Sequence, residues 1–131
     1  MQLIPHHVGI VVSDMDRSTA FYEELGFETT AFMPADDGSK AIKFMALGPI
    51  MVELFWYAQT PEASAPLGRG ERRLGFKHLA LRTEDFEGTL AELKAKTLVP
   101  RNAVTREIPG RFKLVYFEDP DGLEIEVMQE G

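Results

Sequence analysis

Four residues stand out by type and by spacing: His7, Glu53, His78 and Glu126. Histidine and glutamate are 46 positions apart in the first pair and 48 in the second, a difference that loops absorb. Two imidazoles and two carboxylates are good N and O donors for a divalent cation, and such a cation would acidify a bound water or polarise a chelated substrate oxygen. Four protein ligands leave positions on a six-coordinate ion open to water or substrate oxygens. A lone histidine or glutamate in a strand is ordinarily a hydrogen-bonded or surface group; it is the repetition of the pair that points to chemistry. The chain has no cysteine, which excludes a thiolate nucleophile, a thiolate metal site and a disulfide framework.

Strand alternation decides where the four side chains point, because residues two apart share a face. His7 goes with Gly9 and Val11 and opposes the aliphatic Val8, Ile10 and Val12. Glu53 goes with Met51 and Phe55 and opposes Val52, Leu54 and Trp56, while His78 opposes Lys77, Leu79 and Leu81. Glu126 goes with Glu124 and Met128 and opposes Leu123, Ile125 and Val127. The aliphatic faces are expected to pack on helices, with the four polar residues on the other, concave side. An ionised carboxylate on such an apolar strand is costly unless it is paired or metal-bound. The same alternation puts His6 opposite His7. It puts Glu124 on the Glu126 face but nearer the turn, where it can stand behind that ligand or exchange roles with it.

The elements that must hold these residues repeat as well. A strand over about 5–12 is followed by Ser13-Asp14-Met15-Asp16, a helix start, with Phe21 and Leu25 four apart and a stop at Gly26. Strands near 27–33, 41–47 and 50–57 are broken by Pro34 to Gly38 and by Gly48-Pro49. The stretch 58–75, rich in turn formers, reads as a connection. Beyond it come a strand near 76–81 and a helix opened by Thr83-Glu84-Asp85 with an apolar stripe of Phe86, Leu90 and Leu93. Gly88 inside that helix costs about 1 kcal/mol relative to alanine. Strands near 98–107, 112–118 and 123–128 complete the half, the last two separated by the turn Asp119-Pro120-Asp121-Gly122. The order β-α-β-β-β thus occurs twice, a duplicated unit within one α+β domain of 131 residues.

Bulk properties narrow the partners. Fourteen Lys and Arg against 21 Asp and Glu give a net charge of −7, which repels phosphate backbones and anionic lipid and leaves a small molecule as the expected ligand. The first residues lack the pattern of a signal peptide, and no apolar run is long enough to span a bilayer; a cytoplasmic location is expected. Glu23-Glu24 and Arg72-Arg73 read as solvated charges.

Taken together, the run His7 to Val12 followed by Asp14 to Ser18 and Phe21 to Phe27, with Val52 to Phe55, Phe76 to Ala80 and Phe117 to Glu126, resembles the vicinal oxygen chelate superfamily over nearly the whole chain. It is most similar to small single-chain proteins of glyoxalase I type, including a bacterial glyoxalase-like subgroup. The resemblance implies two paired βαβββ modules forming a curved mixed β-sheet half-barrel with flanking helices, a metal in the concavity and commonly a homodimer. His7, Glu53, His78 and Glu126 fall one by one on the family's four ligand positions. The implied activity is that of a lactoylglutathione lyase, in which the hemithioacetal of an α-oxoaldehyde and a thiol isomerises through a metal-bound enediolate. Nickel, cobalt or zinc is the implied ion, with manganese or iron as further choices, and Glu126 or Glu53 would shuttle the proton.

Val11 and Tyr57 stand where a well-studied bacterial glyoxalase I has an arginine and an asparagine for glutathione, so those contacts do not carry over. Loop cations at Arg69, Arg72, Arg73, Arg111 and Lys113 could meet substrate carboxylates but are ordinarily solvated. Two alternatives accompany this reading. One is an epimerase of methylmalonyl-thioester type; the other is a metal-free, bleomycin resistance-type dimer binding a drug in an apolar groove with residues such as Phe55 and Tyr57. Ring-cleaving dioxygenases of the superfamily use two histidines and one carboxylate, so Glu53 as a fourth ligand argues against that chemistry.

Overall fold

A computed structural model of the chain describes residues 1–59 and 74–131. Two compact units divide it, Met1–Ala63 and Ser64–Gly131, and each carries the expected β-α-β-β-β order. In the first, β1 (Val8–Val11) leads to α1 (Met15–Glu24), then β2 (Glu28–Pro34), β3 (Lys40–Leu47) and β4 (Ile50–Tyr57). The sheet order is β1-β4-β3-β2, with β1 parallel to β4 and the other pairs antiparallel. In the second, β5 (Leu79–Arg82), α2 (Phe86–Ala95), β6 (Thr105–Ile108), β7 (Phe112–Glu118) and β8 (Glu124–Glu130) repeat that plan as β5-β8-β7-β6. In both, the last strand lies inside the sheet, flanked by the first strand and by its own hairpin partner. Most of the connection expected over 58–75, with Arg69, Arg72 and Arg73, lies outside the described residues. Among the described residues no helix is long and apolar enough to cross a membrane.

Alternation sorts each central strand as expected. Val52 and Leu54 of β4 are fully buried, as are Ile125 and nearly so Val127 of β8. The helices cover these faces differently. Helix α2 buries Phe86, Leu90 and Leu93, the stripe expected of it. Helix α1 instead buries Ser18, Thr19 and Tyr22, while Phe21 and Leu25, four apart, are half-buried; Phe21 packs edge-on against Tyr22. Thr19 is satisfied there, its hydroxyl donating to the Met15 carbonyl and accepting from Lys43 Nζ.

Both helices are capped by aspartate, Asp14 accepting from the Arg17 amide and Asp85 from the Gly88 amide, each at 3.0 Å. A Cβ on Gly88 would meet the Asp85 carboxylate where it now lies, although Arg17 carries one at the matching position of the α1 cap. The helix ends match too. In α1 the amides of Gly26 and Phe27 bond to the carbonyls of Glu23 and Tyr22; in α2 those of Thr97 and Leu98 bond to Lys94 and Leu93, the paired bonds of a Schellman ending. Gly26 takes the left-handed conformation freely, whereas Thr97 is held at φ 58°, a strained state for a β-branched residue. Thr97→Gly is therefore expected to stabilise the protein by about 0.5–1 kcal/mol, strain relief outweighing the added freedom of the unfolded chain; a raised urea midpoint at unchanged slope checks it.

Strand β6 corrects another expectation. Residues 98–104 are not strand: the Leu98 and Val99 amides turn back to the Leu93 carbonyl and the Ala103 amide to that of Pro100, so the ladder begins only at Thr105.

Candidate functional site

Glu53 occupies the middle of β4, beside Gly9 of β1 and Phe44 of β3, and is 9% exposed. Gly9 leaves room for the Phe55 ring, which a Cβ would meet at 3.3 Å. His7 sits one residue ahead of β1, its Nε2 2.8 Å from Glu53 Oε2 and its ring edge-on to Phe44. The second unit repeats this construction. Glu126, also 9% exposed, lies between Ala80 of β5 and Tyr116 of β7. His78 again precedes its strand by one residue, with Nε2 3.4 Å from Glu126 Oε2 and its ring against Tyr116. The structure thus joins the four residues as two pairs, His7 with Glu53 and His78 with Glu126.

The expected strands 5–12 and 76–81 start too early, since the ladders begin at Val8 and Leu79. Pro5 has no amide to give and Gly75 takes a positive φ, so the residues ahead of each ladder escape alternation. This corrects the placement of His6: it does not turn away from His7 but meets it, Nδ1 to Nδ1 at 2.7 Å. Glu124 lies where alternation puts it. It is 2% exposed, with Oε1 3.4 Å from His78 Nδ1, outside hydrogen-bonding geometry; that ring nitrogen is buried without a hydrogen bond. The buried Asp119 carboxylate is structural by contrast, accepting the amides of Asp121 and Leu123 in the turn before β8.

Tyr116 is the neighbour of Glu126 that the sequence reading missed. Its hydroxyl donates to Glu126, and burial first, then that hydrogen bond and the charges of Glu126 and Glu124, raise the phenol pKa to about 12. The signal was present in the repeat, because Phe44 holds the same register opposite Glu53. A raised folded-state value means the phenol's contribution to stability is complete below its ordinary pKa of 10.0 and is lost as pH climbs through about 12. In metal-free protein, the difference in phenolate absorbance between wild type and Tyr116→Phe is expected to titrate near that upper value, and the variant should lose less stability between the two.

Tyr116 and Glu124 also line an open groove of about 950 Å³ in the second unit, whose wall carries Lys94, Arg101, Asn102 and Val104. Of the cations read as ordinarily solvated, Lys113 lies in β7 with Nζ 3.7 Å from Glu87 and Arg111 is exposed in the β6–β7 turn. Phe55 and Tyr57, expected along an apolar groove, stack on each other with rings 6.3 Å apart.

Among the described residues no three His, Asp or Glu side chains gather closely enough to hold an ion by themselves; what is present is two His–Glu pairs. Within its own unit, each pair has the spacing of two ligands on one cation. Two ligands at about 2.1 Å from one divalent ion lie about 3.0 Å apart at an octahedral right angle and about 3.4 Å apart in a tetrahedron, and the pairs are 2.8 and 3.4 Å apart. Buried carboxylates also outnumber the imidazoles in the second unit, where Glu124 and Glu126 flank one ring, an excess of negative charge that a cation offsets.

Comparison with known proteins agrees with the repeated β-α-β-β-β plan. The family model of the Glyoxalase/Bleomycin resistance protein/Dioxygenase superfamily matches residues 4–127. YaeR of Escherichia coli (strain K12), an uncharacterized protein, is 30% identical over 129 residues covering 95% of each chain. Lactoylglutathione lyase GLX1 of Arabidopsis thaliana is 30% identical over 135 residues, which are 95% of this chain and 44% of that protein. Among solved structures, the glyoxalase family protein from Enterococcus faecalis superposes with a TM-score of 0.76 at 28% identity, over 95% of this chain and 96% of that one.

Proposed function

The chain belongs to the Glyoxalase/Bleomycin resistance protein/Dioxygenase superfamily, and from that premise we propose that it is a metal-dependent lyase or isomerase of glyoxalase I type, acting on the hemithioacetal of an α-oxoaldehyde and a thiol. The observation that carries this reading is the repeated pair, a buried strand glutamate on the ring nitrogen of a histidine just ahead of the neighbouring strand, once in each unit. In this proposal His7, Glu53, His78 and Glu126 together hold one divalent ion. Two nitrogens and two oxygens without sulfur suit nickel, cobalt or zinc, with manganese or iron as further choices. The bound ion would polarise vicinal substrate oxygens and so acidify the adjacent C–H.

The remaining chemistry falls to the chain. A carboxylate, Glu126 or Glu53, takes the proton from the hemithioacetal carbon and returns it to the neighbouring carbonyl carbon, while the hemithioacetal hydroxyl proton passes to the neighbouring oxygen, so that an aldehyde-derived centre becomes a 2-hydroxyacyl thioester with no net change in atoms. Tyr116, donating to Glu126, fixes that carboxylate for the transfer. Burial of both glutamates keeps bulk water from exchanging with the proton in transit. The relationship to lactoylglutathione lyase GLX1 supports the substrate class. We further propose a homodimer working in the cytoplasm, where a cysteine-free chain of this kind meets thiol cosubstrates.

Turnover in deuterated water tests the reading against the epimerase alternative. The proposed enzyme converts the methylglyoxal hemithioacetal of a cellular thiol to a lactoyl thioester. Exchange of the α-hydrogen of methylmalonyl thioester, with no lactoyl thioester formed, would instead establish an epimerase.

A further inference from the structure

We infer that Glu124 is a positioning residue for His78, holding the proton of the imidazole on Nδ1 so that the lone pair of Nε2 stays free on the Glu126 side of the ring. This rests on the reading of His78 as a ligand, but its physical content is separate. Glu124 is the more buried of the two carboxylates at this ring, 2% exposed against 9% for Glu126. A buried carboxylate needs a donor or a cation, and the described residues provide Glu124 with one such neighbour, the ring nitrogen 3.4 Å away. That nitrogen is itself buried and without a hydrogen bond. An unsatisfied ring nitrogen therefore faces a buried carboxylate across 3.4 Å.

A neutral imidazole carries one proton, and here a carboxylate stands at each nitrogen. The one that receives the proton sets the tautomer. Glu126 already accepts the Tyr116 hydroxyl, whereas no side-chain donor other than His78 reaches Glu124 among the described residues, so the proton belongs on Nδ1. The two ring nitrogens stand equally far from their carboxylates, 3.4 Å each, so the assignment rests on burial and on the donors already spent rather than on distance. The repeat shows that the fold itself does not demand an acid here. The counterpart of Glu124, two positions before Glu53, is Met51, and in that unit Nδ1 of His7 meets His6 instead. Carboxylates behind histidine ligands fix ring orientation and raise ligand basicity; Glu124 supplies this to one half of the ligand set only.

The test uses the full chain labelled with 15N, stripped of metal and held at alkaline pH where imidazoles are neutral. Two-bond proton–nitrogen correlations report the tautomer of His78, identified by its loss in His78→Gln. Wild type is expected to show the Nδ1–H tautomer. Glu124→Met, which installs the residue of the counterpart position, is expected to move the proton to Nε2, and Glu124→Leu serves if the first variant does not fold. Nickel affinity, by competition with a chromophoric chelator, should then fall about 10–100-fold in the variant. An Nε2–H tautomer in wild type, or the same tautomer with and without Glu124, overturns the inference. If the tautomer responds as described but wild type takes up no nickel, cobalt or zinc, the role of Glu124 stands and the metal reading fails.

Discussion

Glu126→Gln is expected to lower kcat for hemithioacetal isomerisation by about 10²–10⁴-fold, the range contributed by a positioned general base, with the far-ultraviolet circular dichroism unchanged. The amide has the shape of the carboxylate, and its oxygen can still accept the Tyr116 hydroxyl that Glu126 accepts, so the surroundings need not move. What it cannot do is bind the substrate proton. Removing a buried negative charge at a position 9% exposed is also tolerated far better than stranding one, which separates a catalytic loss from a folding loss. Glu53→Gln should be severe as well, and the double variant little worse than either alone, because groups acting on one proton are not additive. Formation of lactoyl thioester followed by its ultraviolet absorbance measures all three, and retention of more than about a tenth of wild-type turnover by Glu126→Gln contradicts its role.

The largest effect on stability is expected from Leu54→Ala. Leu54 is fully buried and lies at the centre of β4, paired with Ile10 of β1 on one side and Lys43 of β3 on the other. Its side chain is on the aliphatic face that alternation opposes to Glu53. Truncation removes apolar area and leaves a cavity that the neighbouring strands fill only in part, a loss of about 2–5 kcal/mol. Against the roughly 5–15 kcal/mol that holds a domain together, that is a large share. A urea midpoint that falls sharply at nearly constant slope is the expected signature. A loss below about 1 kcal/mol would mean that this face is not the core of the first unit.

How far the sequence alone leads is set by how local each determinant is. Period-two alternation placed Val52, Leu54, Ile125 and Val127 inside, and with them the facing Glu53 and Glu126, because a central strand leaves no freedom in the direction of its side chains. Aspartate caps and the Asp119 turn were readable for the same reason: each is a bond within a few residues. The errors lie where long-range contact decides. Helix α1 buries Ser18, Thr19 and Tyr22, a face the spacing of Phe21 and Leu25 does not give, since only the tertiary packing shows which side of the helix meets the sheet. His6 escaped because the ladder starts at Val8, and alternation has no meaning ahead of it. Tyr116 escaped because its place opposite Glu126 depends on the register between β7 and β8, which becomes visible only when the halves are compared position by position. That comparison sets Tyr116 against Phe44 and Glu124 against Met51, and shows a second unit more polar around its histidine than the first.

The central claim, that the two His–Glu pairs hold one divalent ion, is tested most directly by elemental analysis of the purified protein after dialysis against mixed nickel, cobalt, zinc, manganese and iron salts. The native chain is compared with Glu53→Gln/His78→Ala, which takes one ligand from each pair, and the mass of the assembly is determined in parallel. About one ion per chain in the native protein, lost in the variant, is the predicted result. No ion in either protein, or equal loading of both, contradicts the claim and turns attention to the binding of small apolar ligands.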